Sequence, residues 1–245
     1  ADNGFGNEIS FDNDNKPYVI SEIGSNFNQD LETAKKLIKL SAATGCDAVK
    51  FQFFEASDLV DKKSKYYQIF KKNELNKSWI KILKKYSEKL NLLFFVSVFN
   101  SNKIDFLKKC NIDAYKVASS ELSNFDLLNK IAITKKPIFL STGMSEFENV
   151  FRSVSFLNDL KVKKLVLMHC ASLYPQKIQD MNLNVINLYK KIFPNIPLGL
   201  SDHSTSIIIP SLAVAKGANI IEKHFTLNKN DSGPDHSTSL EPAEF

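Results

Sequence analysis

Arginine is almost missing from this chain: of 32 basic residues in 245, only Arg152 is an arginine and the rest are lysines. A guanidinium fork is the usual partner for a carboxylate or phosphate. An anionic ligand must therefore be held here by lysines, hydroxyls and backbone amides, or by an arginine supplied from elsewhere. Cysteine is also scarce. Cys46, Cys110 and Cys170 are odd in number, widely spaced and free of any CxxC pattern, which argues against a disulfide framework or structural zinc and leaves buried free thiols. No apolar run approaches about 18 residues and no basic-then-apolar leader opens the sequence, so neither a membrane span nor a signal peptide is expected, and the default compartment is the cytoplasm. The net charge of +5 is modest. The lysine-rich, aromatic stretch 62–85 invites a nucleic-acid reading. Acidic residues are dispersed along the chain, however, and Trp79, Ile80, Ile82 and Leu83 read as the buried side of a helix with solvated lysines, so no nucleic-acid partner is expected.

What is present is a repeated grammar. At 43% hydrophobic and 24% charged, the chain can bury one large core. Residues 1–17 are polar and without period, a loose N-terminal arm. From there, short apolar runs at 18–22, 48–52, 93–97, 114–117, 138–141, 165–169, 198–201 and 220–224 read as strands. Helical spacing falls between them, for instance at 30–43, 78–90, 146–157 and 185–193. Eight alternating units predict a single (β/α)₈ TIM barrel over 18–245.

Active sites of such barrels gather at the C-terminal ends of the strands. Here every strand ends in polar residues: Glu22, Lys50 with Gln52, Ser97, Lys116, Ser141, His169, Ser201 with His203, and Lys223 with His224. Ammonium groups and hydroxyls converging on one face predict a phosphate or carboxylate ligand. Two histidines at the ends of successive strands suit one shared ion, and Asp235 and His236, just beyond, are further groups able to bind a metal or move a proton.

Several blocks also resemble the sialic acid synthase family: 21–52 (SEIGSNFNQDLETAKKLIKLSAATGCDAVKFQ), 115–122 (YKVASSEL), 139–145 (FLSTGMS), 199–204 (GLSDHS) and 222–242 (EKHFTLNKNDSGPDHSTSLEP). The resemblance runs from Tyr18 onward. It implies condensation of phosphoenolpyruvate with an N-acetylated amino sugar such as N-acetylmannosamine, giving a nine-carbon 2-keto-3-deoxy acid and phosphate. It also implies a divalent metal, typically manganese, with magnesium or cobalt as alternatives. Residue by residue, it makes His203 and His224 the metal ligands. Lys50, Lys116, Ser119, Ser141 and Ser201 match positions that hold phosphoenolpyruvate, with Ser97 standing at such a position where a threonine is usual, and Gln52, Glu121, Tyr174 and Asp235 match positions that orient the sugar. Glu22 matches a carboxylate near the reacting centre.

The chain departs from the family pattern at Phe27 and Gln29, which replace the histidine and glycine of an N-H-x-G turn, at Ser97-Val98 in place of Thr-Pro, and at Ser172 in place of asparagine. Residues 53–75 find no match. The family usually continues into a small antifreeze-like domain that reaches across a homodimer and lends the partner's site an arginine; this sequence ends before it, at Phe245. Two other readings stay open. One is a Schiff-base aldolase on the same barrel with Lys116 or Lys223 as nucleophile. The other is a barrel that binds acidic sugar ligands without turning them over.

Overall fold

In a computed structural model, residues 16–173 and 176–245 are described. Eight parallel strands close into a barrel in chain order: β1 (Tyr18–Gly24), β2 (Ala48–Phe53), β3 (Leu93–Val98), β4 (Ala114–Val117), β5 (Ile138–Ser141), β6 (Leu165–His169), β7 (Leu198–Asp202) and β8 (Ile220–His224). The helices around them are α1 (Leu31–Ala43), α2 (Ala56–Leu59), α3 (Tyr67–Lys72), α4 (Trp79–Lys89), α5 (Ile104–Cys110), α6 (Phe125–Ile133), α7 (Phe147–Asp159), α8 (Asn184–Ile192) and α9 (Ile209–Ala215). The architecture is the (β/α)₈ barrel expected, with the eight strands each within two residues of the segments read from the sequence. Apart from Lys16 and Pro17, the expected N-terminal arm lies outside the described residues.

Side chains alternate along each strand, so the core divides into two shells. One set faces outward and packs under the helices: Ile23, Val49, Phe51, Phe94, Val96, Val117, Leu140, Leu167, Leu200 and Ile221, all buried. The other fills the barrel lumen with Ile20, Ala48, Phe95, Ala114, Phe139, Val166, Met168 and Ile220. Phe95 and Phe139 meet there with ring centroids 4.8 Å apart. This apolar plug closes the lower lumen, so anything polar further up each strand lies on a dry floor.

The first βα unit shows how sequence sets local structure. Asp30 caps α1 by accepting from the Thr33 amide at 2.7 Å. Ala34, Leu37, Ile38 and Ser41 then fall on the face turned to the sheet, and all four are buried. Burying Leu37 and Ile38 contributes roughly 1.5 to 3 kcal/mol each. The helix stops at Thr44, followed by Gly45 at φ +82°. In α4 the expected buried side is corrected at one position: Ile80 and Leu83 are buried, whereas Ile82 is 43% exposed. Residues 53–75 contain the two short helices α2 and α3, the latter burying none of its residues.

The departure at Phe27 is absorbed by the core. Its ring is fully buried between Phe51 and Trp79, at centroid distances of 6.0 and 6.3 Å. Asn28 and Gln29 then both adopt positive φ, at 49° and 55°. The glycine-type backbone is therefore kept at Gln29 although the glycine is not.

Candidate active site

Register places the polar strand ends on one surface. Glu22 pairs with Lys50 and with His224, Gln52 with Ser97, Ser97 with Lys116, and Ser201 with Glu222. Each stands two residues beyond a member of the lumen plug or its extension, so all point inward above Phe95 and Phe139. The expected strand-end residues Glu22, Lys50, Gln52, Ser97, Lys116, Ser141, Ser201, His203 and His224 thus face one another across the mouth.

At the centre is Glu222, to which the sequence alone assigns no role. Its Oε1 accepts from Lys50 at 2.9 Å, Lys116 at 2.6 Å and Ser201 Oγ at 2.7 Å. Lys50 also stands 3.3 Å from Glu22 Oε2, and Gln52 donates to Glu22 Oε1 at 2.8 Å. Burial pushes Glu222 up, but the two ammoniums outweigh it and hold its carboxyl well below the usual range. Glu22 goes the other way. Its desolvation exceeds the attraction of Lys50, and the neighbouring negative charge of Glu222 adds to it, so its carboxyl rises to about 7. Burial lowers both lysines; contact with two carboxylates reverses this for Lys50, which ends above its ordinary value, whereas Lys116 stays below. One carboxylate is therefore fixed as an anion and the other can exchange a proton near neutrality. Ser141 Oγ is buried here with no hydrogen-bond partner among the described residues, a donor that a bound anion would satisfy.

The imidazoles of His203 and His224 lie with ring centroids 5.5 Å apart. His203 Nδ1 donates to the Ala171 carbonyl at 3.0 Å, which fixes the tautomer and leaves the lone pair on Nε2. Burial lowers His203 to about 4, and burial together with the neighbouring His203 and Lys50 charges takes His224 well below its ordinary value. Both rings are neutral at neutral pH, the form that ligates metals. Among the described residues no group of three or more His, Cys, Asp or Glu is arranged around an ion. The two neutral rings are nitrogen donors of the kind that could hold a divalent ion.

Other polar residues singled out in the sequence serve the frame. His236 is locked between Thr226 Oγ1 at 2.6 Å and Asn28 Oδ1 at 2.9 Å. His169 turns outward to the Met181 carbonyl at 2.7 Å. Lys223 also faces out, pairing with Asp202 at 2.6 Å, which removes it as a nucleophile in the lumen.

Asp235 sits at the rim. Ser25 approaches its Oδ2 at 3.4 Å, and burial raises its carboxyl to about 6. Its backbone is anchored by Ser239, whose hydroxyl donates to the Asp235 carbonyl at 2.6 Å while accepting from Asn26 at 2.8 Å. Gly24, at φ +57°, makes the junction: a Cβ there would stand 3.2 Å from Asp235, 3.3 Å from Gln52 and 3.4 Å from Glu22. Ser119 lies in a turn after β4, its hydroxyl accepting from the Gly143 amide at 3.0 Å beside Cys170 Sγ, also at 3.0 Å. Glu121, in the same turn, accepts from Asn124 at 2.8 Å. Tyr174 lies outside the described residues.

Comparison with known proteins shows the family. A model of the NeuB family matches residues 37–245. The chain belongs to this family, that of the sialic acid synthases. It is 38% identical to an N,N'-diacetyllegionaminic acid synthase of Campylobacter jejuni, over 94% of this chain and 73% of the relative. It is 34% identical to the N-acetylneuraminate-9-phosphate synthase of Homo sapiens, over 93% of this chain and 67% of that protein. The crystal structure of N-acetylneuraminic acid synthetase from Leptospira borgpetersenii serovar Hardjo-bovis in complex with citrate superimposes with a TM-score of 0.90 at 34% identity, covering 94% of this chain and 80% of that one. No helix among the described residues is long and apolar enough to cross a membrane.

Proposed function

We propose that this barrel condenses phosphoenolpyruvate with an N-acetylated amino sugar, forming a 2-keto-3-deoxy sugar acid of the sialic acid type and releasing phosphate. The observation that carries the reading is the lumen floor, where Lys50 and Lys116 converge on one carboxylate oxygen beside the unpartnered hydroxyl of Ser141. Such a cluster holds an anionic substrate without arginine. The names of the relatives, synthases of legionaminic acid and of N-acetylneuraminate 9-phosphate, support the reaction class and differ in the sugar.

In this reading Lys50, Lys116, Ser97, Ser119, Ser141 and Ser201 bind and orient phosphoenolpyruvate and stabilise negative charge as phosphate departs. Gln52, Glu121, Asp235 and Tyr174 orient the sugar with its aldehyde over the enol carbon. A divalent ion on His203 and His224, manganese with magnesium or cobalt as alternatives, supplies Lewis acidity toward that aldehyde. Glu22, ionised in part near pH 7, takes a proton from the water that adds at the phosphate-bearing carbon, after which the carbon–oxygen bond to phosphate breaks. Residues 18–245 are the catalytic unit. We place it in the cytoplasm, in keeping with three buried cysteines that form no disulfide, and take the homodimer from the family resemblance alone.

The Schiff-base alternative rests on Lys116, whose pKa burial lowers; its ammonium, 2.6 Å from Glu222, is arranged to keep its proton. Borohydride trapping insensitive to chelator selects it. The direct test is phosphate release from phosphoenolpyruvate with manganese across N-acetylmannosamine, its 6-phosphate and a 2,4-diacetamido-6-deoxy sugar. Release that requires both a sugar and the metal supports the proposal. Binding of phosphoenolpyruvate with no release under any sugar selects the non-catalytic barrel instead.

A further inference from the structure

We propose that Lys223 is a positioning residue for the two-histidine centre: from outside the barrel wall, its ammonium fixes the backbone on both sides of His203 against the strand that carries His224. The inference rests on the reading above, in which those histidines share a divalent ion. Asp202 and Lys223 are register partners on β7 and β8. Alternation sends both side chains outward, while His203 and His224, one residue further along, turn into the mouth.

The Lys223 ammonium is saturated. It donates to Asp202 Oδ2 at 2.6 Å, to the Ser204 carbonyl at 2.5 Å and to the Ser206 carbonyl at 3.0 Å, with Ser204 Oγ at 3.3 Å. Asp202 closes the bracket by accepting the Ser204 amide on Oδ1 at 2.8 Å. Lys223 is 2% exposed, Asp202 0% and Ser204 1%, so water does not compete for these bonds. Residues 202, 204 and 206 thus converge on one atom of β8, and His203 sits inside that bracket. A centre with only two protein nitrogens depends on their spacing, because no third ligand corrects an error in it. The lysine and serine donors of the anion floor lie inside the lumen, on the other side of the wall, and the bracket does not touch them.

The experiment uses the full chain. Manganese affinity is read from the electron paramagnetic resonance of the free ion, and phosphoenolpyruvate affinity by calorimetry on chelated protein, for wild type, Lys223→Met and His203→Ala. Outer partners of metal ligands typically change affinity about 10- to 100-fold. Lys223→Met is therefore expected to bind manganese at least about tenfold more weakly, with phosphoenolpyruvate affinity within about twofold of wild type. The double variant Asp202→Asn/Lys223→Met leaves no buried charge unpaired; it carries the test if the single variant does not fold, and the same loss is expected of it. A smaller loss of manganese affinity, or a parallel loss of phosphoenolpyruvate affinity, overturns the positioning role. Equal manganese affinity in wild type and His203→Ala instead overturns the two-histidine reading on which it rests.

Discussion

Lys116 on β4 and Glu222 on β8 stand on opposite sides of an eight-stranded barrel, and their charged atoms meet in the lumen at 2.6 Å. Both side chains are almost fully buried. Glu222 is the single carboxylate partner of Lys116 among the described residues, whereas Lys50 has Glu22 as well.

Removing the negative charge should therefore strand Lys116. Glu222→Gln is expected to lose stability on the order of 3 kcal/mol, the usual cost of breaking a buried pair from one side. Urea unfolding without ligand reads the loss, and added phosphate should restore part of it by occupying the vacated donors. An unchanged midpoint in phosphate-free buffer would rule out the pairing as a stability element.

Glu22 predicts a pH dependence with a definite sign. Its carboxyl is raised from 4.5 to about 7 in the folded protein. The fold thus disfavours its charged form, and its contribution to stability is best below the unfolded value and declines as pH rises through about 7. In Glu22→Gln this decline should vanish from pH-resolved unfolding curves, together with any inflection near neutrality in kcat/KM. Retention of both features in the variant would assign them to another group.

The histidines work in the opposite direction. His203 is lowered to about 4 and His224 is lowered too, so the stability of their neutral forms is complete above the unfolded value of 6.5 and is lost as pH falls toward 4. Replacing both with glutamine should flatten the acid limb of the stability profile and abolish manganese binding, with the circular dichroism spectrum unchanged. A variant that still binds manganese as wild type does would move the metal elsewhere.

For the anion floor, Lys50→Met keeps the aliphatic stem and deletes the charge. A lost charge-assisted hydrogen bond of about 1.5 to 3 kcal/mol should weaken phosphoenolpyruvate about tenfold or more. Calorimetry showing wild-type affinity in both Lys50→Met and Lys116→Met would displace phosphoenolpyruvate from the lumen.

Gly24→Ala tests the rim. The added methyl enters at 3.2 to 3.4 Å from Asp235, Gln52 and Glu22, on a backbone at φ +57° that costs about 1 to 2 kcal/mol with a side chain. The KM for the sugar should rise more than that for phosphoenolpyruvate. Equal changes in both would indicate a general loss of the fold.

Much of the barrel was legible because each strand is an apolar run closed by polar residues, and strands such as β4, β5, β6 and β8 were bounded to the residue. Phase was harder. Parallel strands are buried on both faces, so Lys223 and His169 looked as much like lumen residues as their neighbours did. Counting back by two from His224 reaches Glu222, but its importance comes from partners on β2, β4 and β7, which no local pattern announces. Phe27 stands in the sequence only as a replaced turn residue, because the aromatic slot between Phe51 and Trp79 that receives it is formed only in the folded chain.

Glu222 also changes what it means for a ligand to arrive. Its Oε1 occupies the acceptor position that Lys50, Lys116 and Ser201 offer. An incoming carboxylate or phosphate is thus a replacement rather than an addition, taking over donors that have to let go of their resident acceptor. The displaced Glu222 carboxyl then loses the two ammoniums that hold it as an anion, and the cheapest relief is for Glu222 itself to pick up a proton. Loading the barrel should consequently draw hydrogen ions from the buffer, making a calorimetric titration depend on the buffer's own heat of ionisation.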